Sequence, residues 1–506
     1  MIKILLIDCS RALEVEFREV FDFDAVHHPP VGLLALSTQI TKSDIGKYTD
    51  IKIIDSTVDY TSIEELEQLI IDSDPDIVGL RTLHKYTEQF HQASAMAKKL
   101  PNNPLVIGGG PYPSAEPEKV MERDEHLDIV VVGEGEEVFY DLIAAYHNKK
   151  PLADVPGIYH RENGEIKQSE TRDVIQDLDS IPIPDWSLID FNRYEKMMGQ
   201  APVFRKMAPI LTTRGCPYAC TYCHELFQKR FRVRSAQNIV EELVILNDLG
   251  VHDISVIDDI FNLYPERVIE IFNLIIQKNL KLRFYYPNGL RGDRMTHEAI
   301  DSMVEGGSIL FTYALESGSR RIQKLVKKEL RFEPFYDAVD YTIKKGVMVD
   351  MFLMVGFPTE TEAEALSTID FLMQWDEICF PYLNVLNAFP GTEIYDKMIE
   401  RSNEEDIKKV FENGYYLHNT NRGDQMIEVV KFDFLKNYFL RRDRLKKAIT
   451  IQRKFLREDE LLYKYKMYLP GNMDRFQTLD ELVEGVALDT EKPKRIWTPE
   501  PKALAS

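Results

Sequence analysis

Short apolar runs recur along the first 150 residues: IKILLID at 2–8, IKIID at 51–55, DIVGL at 76–80, PLVIGG at 104–109 and LDIVVVG at 127–133. Between them, segments such as SIEELEQLIIDS and TEQFHQASAMAKKL space their apolar residues at helical intervals. Strand alternating with helix every ~25 residues predicts βαβ units and a parallel sheet covered on both faces. The expected fold class is α/β, opening with a Rossmann-like or flavodoxin-like domain over 1–148. Such sheets bind ligands beyond the carboxyl ends of their strands. The loops at those ends carry His27 and His28 after the first strand and His84 after the third. Gly108, Gly109 and Gly110 follow the fourth strand, and Gly133, Glu134 and Gly135 follow the fifth. The glycines leave backbone bare where a flat ligand could press close. No G-x-G-x-x-G opens the first helix, so a dinucleotide is not favoured.

From 149 to 205 the alternation breaks. GIYHRENGEIKQ reads as a hairpin turning at Asn163-Gly164, and DLDSIPIPDWSLID is proline-punctuated and extended. This stretch is expected to be a linker. Over 206–400 strand and helix alternate again, through APILTTRG, HDISVIDD, LRFYYPNGL, SILFTYALES, VMVDMFLMVGFP and YLNVLNAFP. Six such units predict a partial (β/α)6 barrel, whose active residues sit at the carboxyl ends of its strands. Residues 401–506 read as a helical region. Its basic section, Arg441 to Lys447, is expected to be a solvated face, and the terminal DTEKPKRIWTPEPKALAS is expected to fray.

Composition narrows the class. The 506 residues are 44% hydrophobic and 29% charged, as in a globular chain, and carry a net charge of −21. That charge disfavours nucleic acid, and no apolar run approaches the ~18 residues of a membrane span. The start, MIKILLIDCS, reads as a first strand, so a cytoplasmic protein is expected. Five cysteines do not make a disulfide framework. Cys9 and Cys379 stand alone and are expected to be buried as small apolar residues.

The other three, Cys216, Cys220 and Cys223, fall within eight residues, directly after the first barrel strand. C-x3-C-x2-C places three thiolates on one tight loop. Iron–sulfur clusters are held by cysteine thiolates, usually four. Three leave one iron open, as a catalytic site needs. The competing reading is zinc, with His224 or a distant group as fourth ligand. It is disfavoured, because adjacent residues such as Cys223 and His224 rarely converge on one small ion.

The spacing, in this place, resembles the radical S-adenosylmethionine (SAM) superfamily. The resemblance implies a [4Fe–4S] cluster on the three cysteines, with SAM as the fourth ligand and a 5′-deoxyadenosyl radical as its product. It extends residue by residue: Tyr222 just before the third cysteine, Asp258 and Asp259 after the second barrel strand and Arg291 after the third. Glu316 and Ser317 follow the fourth strand, and Gly356 and Pro358 follow the fifth. Each is implied to contact SAM. Asp258 and Asp259 stand where other members carry a glycine-rich motif for the SAM amino group.

A Rossmann-like domain before such a barrel resembles the cobalamin-dependent radical SAM enzymes, over roughly residues 1–400. PPVGLLAL, GGGPYPSAEPE, VVVGEGEEVF and DLDSIPIPDW carry that likeness. The motif D-x-H-x-x-G is absent, and Ser10 of DCSRAL stands where its histidine would be. The resemblance implies cobalamin beside Gly108–Gly110, Gly133–Gly135 and His84. It further implies a small-molecule substrate and a one-electron donor such as flavodoxin or ferredoxin. The implied activity is methyl transfer to an unactivated carbon. Cyclisation or rearrangement without net methylation, and a non-catalytic cobalamin or metabolite sensor, are the alternatives.

Overall fold

The structure is a computed structural model. It describes residues 1–10, 28–194, 203–224, 227–388, 391–400, 424–469 and 471–500. His27 and residues 501–506 of the tail lie outside these.

The first sheet contains β1 (Ile2–Asp8), β2 (Thr49–Asp55), β3 (Ile77–Arg81), β4 (Leu105–Gly109) and β5 (Ile129–Val131), all parallel, in the order β2-β1-β3-β4-β5. This is the flavodoxin-like order, with its switch point between β1 and β3. Apolar residues line both faces, as a doubly covered parallel sheet requires. Leu5, Ile7 and Val78 pack in one core and Ile4, Leu6 and Ile77 in the other.

The hairpin forms at Asn163-Gly164, whose φ values of 52° and 86° suit a tight two-residue turn. Its strands β6 (Ile158–Glu162) and β7 (Glu165–Gln168) do not lie in a free linker. They continue the first sheet as antiparallel strands beyond β5 and cover the edge that β5 would leave open. Beyond the hairpin, the chain is stitched to both neighbours. Asp185 N–H donates to the Thr38 hydroxyl of the first sheet's helix Val31–Thr41 (2.8 Å). The buried Trp186 donates to Glu242 (2.8 Å) on the barrel helix Ala236–Asp248.

The barrel strands are β8 (Met207–Ile210), β11 (Asp253–Val256), β12 (Arg283–Tyr285), β13 (Ser308–Glu316), β14 (Met348–Val355) and β15 (Phe380–Val385). They lie side by side in chain order, all parallel, which is the partial six-unit barrel expected. A small antiparallel pair, β9 (Thr213–Arg214) and β10 (Arg232–Val233), sits at the carboxyl end of β8 and brackets the cysteine loop.

The C-terminal region is helical as expected, with helices Asp424–Phe434, Arg442–Gln452, Glu458–Tyr468 and Leu479–Val486. Two expectations for it need correction. Arg442, Lys446 and Lys447 reach solvent as expected, but Arg441 and Arg444 are fully buried. Arg441 pairs with Asp376 (2.5 Å), and Arg444 caps the carbonyls of Ile378 and Cys379 while its guanidinium lies 4.7 Å from the Tyr438 ring. The tail through residue 500 does not fray. Trp497 packs on Phe332 and Phe371 and donates to Gly318 O (3.0 Å), and Arg320 N–H donates to Pro499 O (2.7 Å). A proline-rich string lacks a repeating core face, so sequence pattern does not reveal that one aromatic anchors it. Cys9 and Cys379 are buried as expected.

Helix Glu458–Tyr468 also drives Lys464 into the barrel, where its ammonium meets Asp350 (3.1 Å) and lies 4.6 Å from the Phe380 ring centroid. Both charges are almost wholly buried, so removing one strands the other. Lys464→Met is expected to lower the urea unfolding free energy by about 3–5 kcal/mol. Adding Asp350→Asn should recover part of it. A loss under ~1 kcal/mol for the single variant would show the pair to be solvated.

Candidate functional site

The cysteine loop leaves β9 through Gly215, at φ 79°. A side chain there would bring Cβ to 2.4 Å from the Arg230 carbonyl oxygen, so the two limbs of the loop meet at a glycine. Backbone bonds hold its middle: Cys223 N–H to Cys220 O (3.1 Å), Thr221 N–H to Val326 O (3.1 Å), and Ile394 N–H to Thr221 O (2.9 Å). Tyr218 is fixed from the barrel, with the Arg291 guanidinium 3.7 Å from its ring centroid and Arg294 donating to its hydroxyl (2.8 Å).

The three thiols lie close enough to oppose one another's ionisation. Cys223 is exposed as a residue, yet its thiol is enclosed. Burial, then the neighbouring Cys220 thiolate and the Asp259 carboxylate, push it up to about 12. Burial raises the Cys216 thiol as well. Clustered thiolates of this kind are relieved by a bound cationic centre, and each can serve a different iron of a cluster without converging on one point. Among the described residues, no three His, Cys, Asp or Glu side chains converge as a single-ion site.

The structure sorts the barrel residues implied as SAM contacts. Tyr222 stands 6.0 Å, ring to ring, from Phe357, so the cysteine loop meets the Gly356–Pro358 turn after β14. Gly356 has φ 87°, and its N–H donates to Glu360 (2.6 Å), as does that of Phe357 (3.2 Å). Burial raises the Glu360 carboxyl to about 8. Glu316 is buried at the end of β13, at φ 65°, with Lys328 3.0 Å away. Asp259 faces the cysteines and the Gly215 N–H, and burial raises its carboxyl.

Three others are taken up by the scaffold. Asp258 is 2% exposed and accepts Thr212 N–H (2.6 Å), Thr213 N–H (3.1 Å) and the Thr212 hydroxyl, tying the end of β11 to that of β8. Arg291 spends its donors on Asp293 (2.9 Å) and the Lys328 carbonyl (2.7 Å) as it stacks on Tyr218. The fully buried Ser317 accepts Ser319 N–H (3.2 Å). Asp259 and the Glu316–Lys328 pair are the polar groups of this set that are not spent on tying strand ends together. Lys328, one of several basic residues that follow a short helix, has no sequence signature that singles it out.

At the ends of the first sheet's strands, Asp8 and Arg81 pair across the switch point, and Arg81 also donates to Ser10 (3.0 Å). His84 lies in the β3 loop, edge-on to Tyr112. Among the described residues its buried Nε2 has no hydrogen-bond partner, and burial lowers its pKa, which favours the neutral ring. His28 has Nδ1 3.2 Å from its neighbour's carbonyl, Pro29 O. The glycines divide. A Cβ at Gly108 would meet Phe90 at 3.0 Å, one at Gly110 would meet Arg81 at 2.8 Å, and one at Gly135 would meet Leu36 at 3.2 Å. Those three serve protein packing. Among the described residues, a Cβ at Gly133 (φ 79°) would meet nothing within 4 Å outside its chain neighbours, and one at Gly109 only Val131 at 4.0 Å. Backbone open to a flat macrocycle thus remains at Gly109 and Gly133.

Glu134, expected beside the cofactor, has both carboxylate oxygens engaged by protein donors. It bonds Arg214 (2.9 Å), Arg232 (2.7 Å) and the Ile175 N–H (2.8 Å), and Glu136 grips Arg214 (2.5 Å). All four side chains are 10% exposed or less. Arg214 and Arg232 close the base of the cysteine loop. The glycine turn of the first sheet is therefore bonded directly to the frame of the three thiols.

Residues 24–143 match the B12 binding domain and residues 210–372 match the Radical SAM superfamily. An uncharacterized methyltransferase of Pyrococcus horikoshii is 30% identical over 374 residues, covering 73% of this chain and 78% of that protein. The chain is a cobalamin-dependent radical SAM enzyme. Its cofactors are cobalamin, a [4Fe–4S] cluster and SAM. The anaerobic magnesium-protoporphyrin IX monomethyl ester cyclase of Cereibacter sphaeroides is 25% identical, covering 69% of this chain and 56% of its own. The structure of the cobalamin-dependent SAM radical enzyme OxsB with aqua-cobalamin bound shares the fold, at TM-score 0.69 and 18% identity, covering 92% of this chain and 72% of its own.

Cys216→Ala, Cys220→Ala and Cys223→Ala are each expected to lose most of the reconstituted iron and all SAM cleavage. Cys379→Ala should retain both. Iron analysis checks this, and equal loss from Cys379→Ala and Cys220→Ala would contradict the three-thiol loop.

Proposed function

We propose that this enzyme transfers a methyl group to an unactivated carbon of a small-molecule substrate. The observation that carries the reading is the bonded contact between the two cofactor-bearing loops, Gly133–Gly135 and the base of the cysteine loop. A carbon centre activated at one must meet a methyl donor at the other within one cavity. When bound, the cluster with SAM supplies hydrogen-atom abstraction, and cobalamin supplies a methyl group able to leave with one electron. The chain's own work is placement. Cys216, Cys220 and Cys223 hold the cluster. The Glu316–Lys328 pair and Asp259 orient the charged methionine end of SAM, and Tyr222 with the Gly356–Pro358 turn flanks the adenine. Gly109 and Gly133 admit the corrin, and His84 presents a neutral nitrogen to it. Ser10 stands where the histidine of D-x-H-x-x-G would be.

The 30% likeness to a named methyltransferase supports this reading, and the likeness to a cyclase supports ring formation without net methylation as the second. No helix among the described residues is long and apolar enough to cross a membrane.

Anaerobic reconstitution with hydroxocobalamin, SAM and a chemical reductant tests the proposal. With the substrate present, a methylated product should accumulate with one S-adenosylhomocysteine and one 5′-deoxyadenosine per turnover. 5′-Deoxyadenosine and a changed but unmethylated product would instead select the cyclase reading. Glu316→Gln should weaken SAM binding by about tenfold, the worth of one charge-assisted hydrogen bond, with iron content unchanged. Unaltered SAM affinity would return Glu316 to a purely structural pairing with Lys328.

A further inference from the structure

Glu134 is the middle residue of the turn at the carboxyl end of β5, next to Gly133, where a Cβ would meet no other described residue within 4 Å outside its chain neighbours. Its carboxylate is shared between two arginines. Arg214 lies two residues before Cys216, and Arg232 lies on the strand by which the loop returns. Arg232 also donates to the carbonyls of Ile175 (2.6 Å) in the connecting segment and Phe227 (3.3 Å) in the returning limb. Both limbs of the cysteine loop are thus bonded to one carboxylate that belongs to the cobalamin-facing turn.

The chemistry of this cluster favours all-or-none behaviour. Four charges are withdrawn from water, and any arm that opens leaves an uncompensated charge in a dry site. Arg214 outweighs burial and lowers the Glu136 carboxyl, so the acid stays ionised. The turn itself is tied to the other cofactor wall, because Gly133 N–H donates to the Ser114 hydroxyl (3.0 Å) in the loop after β4. A displacement of residues 133–135 therefore reaches Gly215 and Cys216 through buried, bonded side chains. An isolated interdomain ion pair would not have this property; a carboxylate shared by both limbs does.

We propose that the Glu134–Glu136–Arg214–Arg232 cluster couples the two cofactor sites, so that cobalamin on the turn changes the affinity of the cysteine loop for SAM. This rests on the cofactor placement proposed above. By linkage, SAM changes the affinity for cobalamin by the same factor. Glu134, Glu136, Arg214 and Arg232 are positioning residues in this scheme and touch neither reacting group.

The test is a thermodynamic cycle on the full-length, iron-loaded enzyme: SAM affinity with and without hydroxocobalamin, read by the SAM-induced change in the spectrum of the reduced cluster. The wild type should show a change in SAM affinity of about five-fold or more on cobalamin loading, within the usual range of coupling factors. Glu134→Gln should retain iron and bind each ligand alone, with the factor falling to within about twofold of unity. Arg232→Lys, which keeps the charge but loses the fork, covers the case in which Glu134→Gln does not load iron, and should lower the factor too. Glu137→Gln, on the same helix but paired with Arg172, should keep the full factor. A wild-type factor of one, or a full factor in both Glu134→Gln and Arg232→Lys, would overturn the proposal. Failure of the wild type to bind cobalamin or SAM at all would fail the cofactor placement instead, and the coupling with it.

Discussion

Four buried charges between the first sheet and the barrel set the geometry on which the rest depends. Glu134 and Glu136 come from the turn after β5, and Arg214 and Arg232 from the pair of short strands that brackets the cysteines. Burying such a set costs several kcal/mol per ion unless every lone pair and proton is satisfied. Satisfaction here comes from both modules and from the segment between them, through Ile175. None of the three can be repositioned without stranding a charge. The extended connection reinforces the same frame, with Trp186 and Asp185 bonded to opposite sides.

Around that frame, the residues implied by family resemblance fall into two groups. Asp258, Arg291, Ser317, Gly108, Gly110, Gly135 and Glu134 build the walls: their polar atoms are taken, or their missing side chains make room for protein. Asp259, Tyr222, Glu316 and the Gly356–Pro358 turn stand at the barrel strand ends beside the cysteine loop, and Gly109, Gly133 and His84 stand at the strand ends of the first sheet. Both groups occur in the same motifs because the loops at strand ends must be rigid before they can present anything. Arg291 illustrates this, since its stack on Tyr218 steadies the cysteine loop.

Much of the fold was legible in the sequence, because strand and helix leave periodic marks. The five parallel strands, the six barrel strands, the hairpin at Asn163-Gly164 and the thiol loop all rest on local pattern. What was not legible depends on partners far apart in the chain. Glu134 and Arg232 are 98 residues apart, and Lys464 and Asp350 are 114 apart, with no repeat to announce either pair. The same holds for Arg441 and Arg444, whose charge reads as surface until Asp376 and the carbonyls of Ile378 and Cys379 are in place. Trp497 is a single aromatic in a polar tail, and only the Phe332–Phe371 surface explains it.

The central claim is that this ion cluster holds cobalamin and the iron–sulfur cluster face to face in one chain. Electron paramagnetic resonance of the enzyme carrying cobalt(II) cobalamin and a one-electron-reduced cluster measures that most directly. The account predicts a dipolar interaction between the two spins, seen as faster relaxation of the cobalt signal than in enzyme with the cluster oxidised. Cobalt relaxation that is the same in both states would mean that the two centres are remote, and would contradict the account.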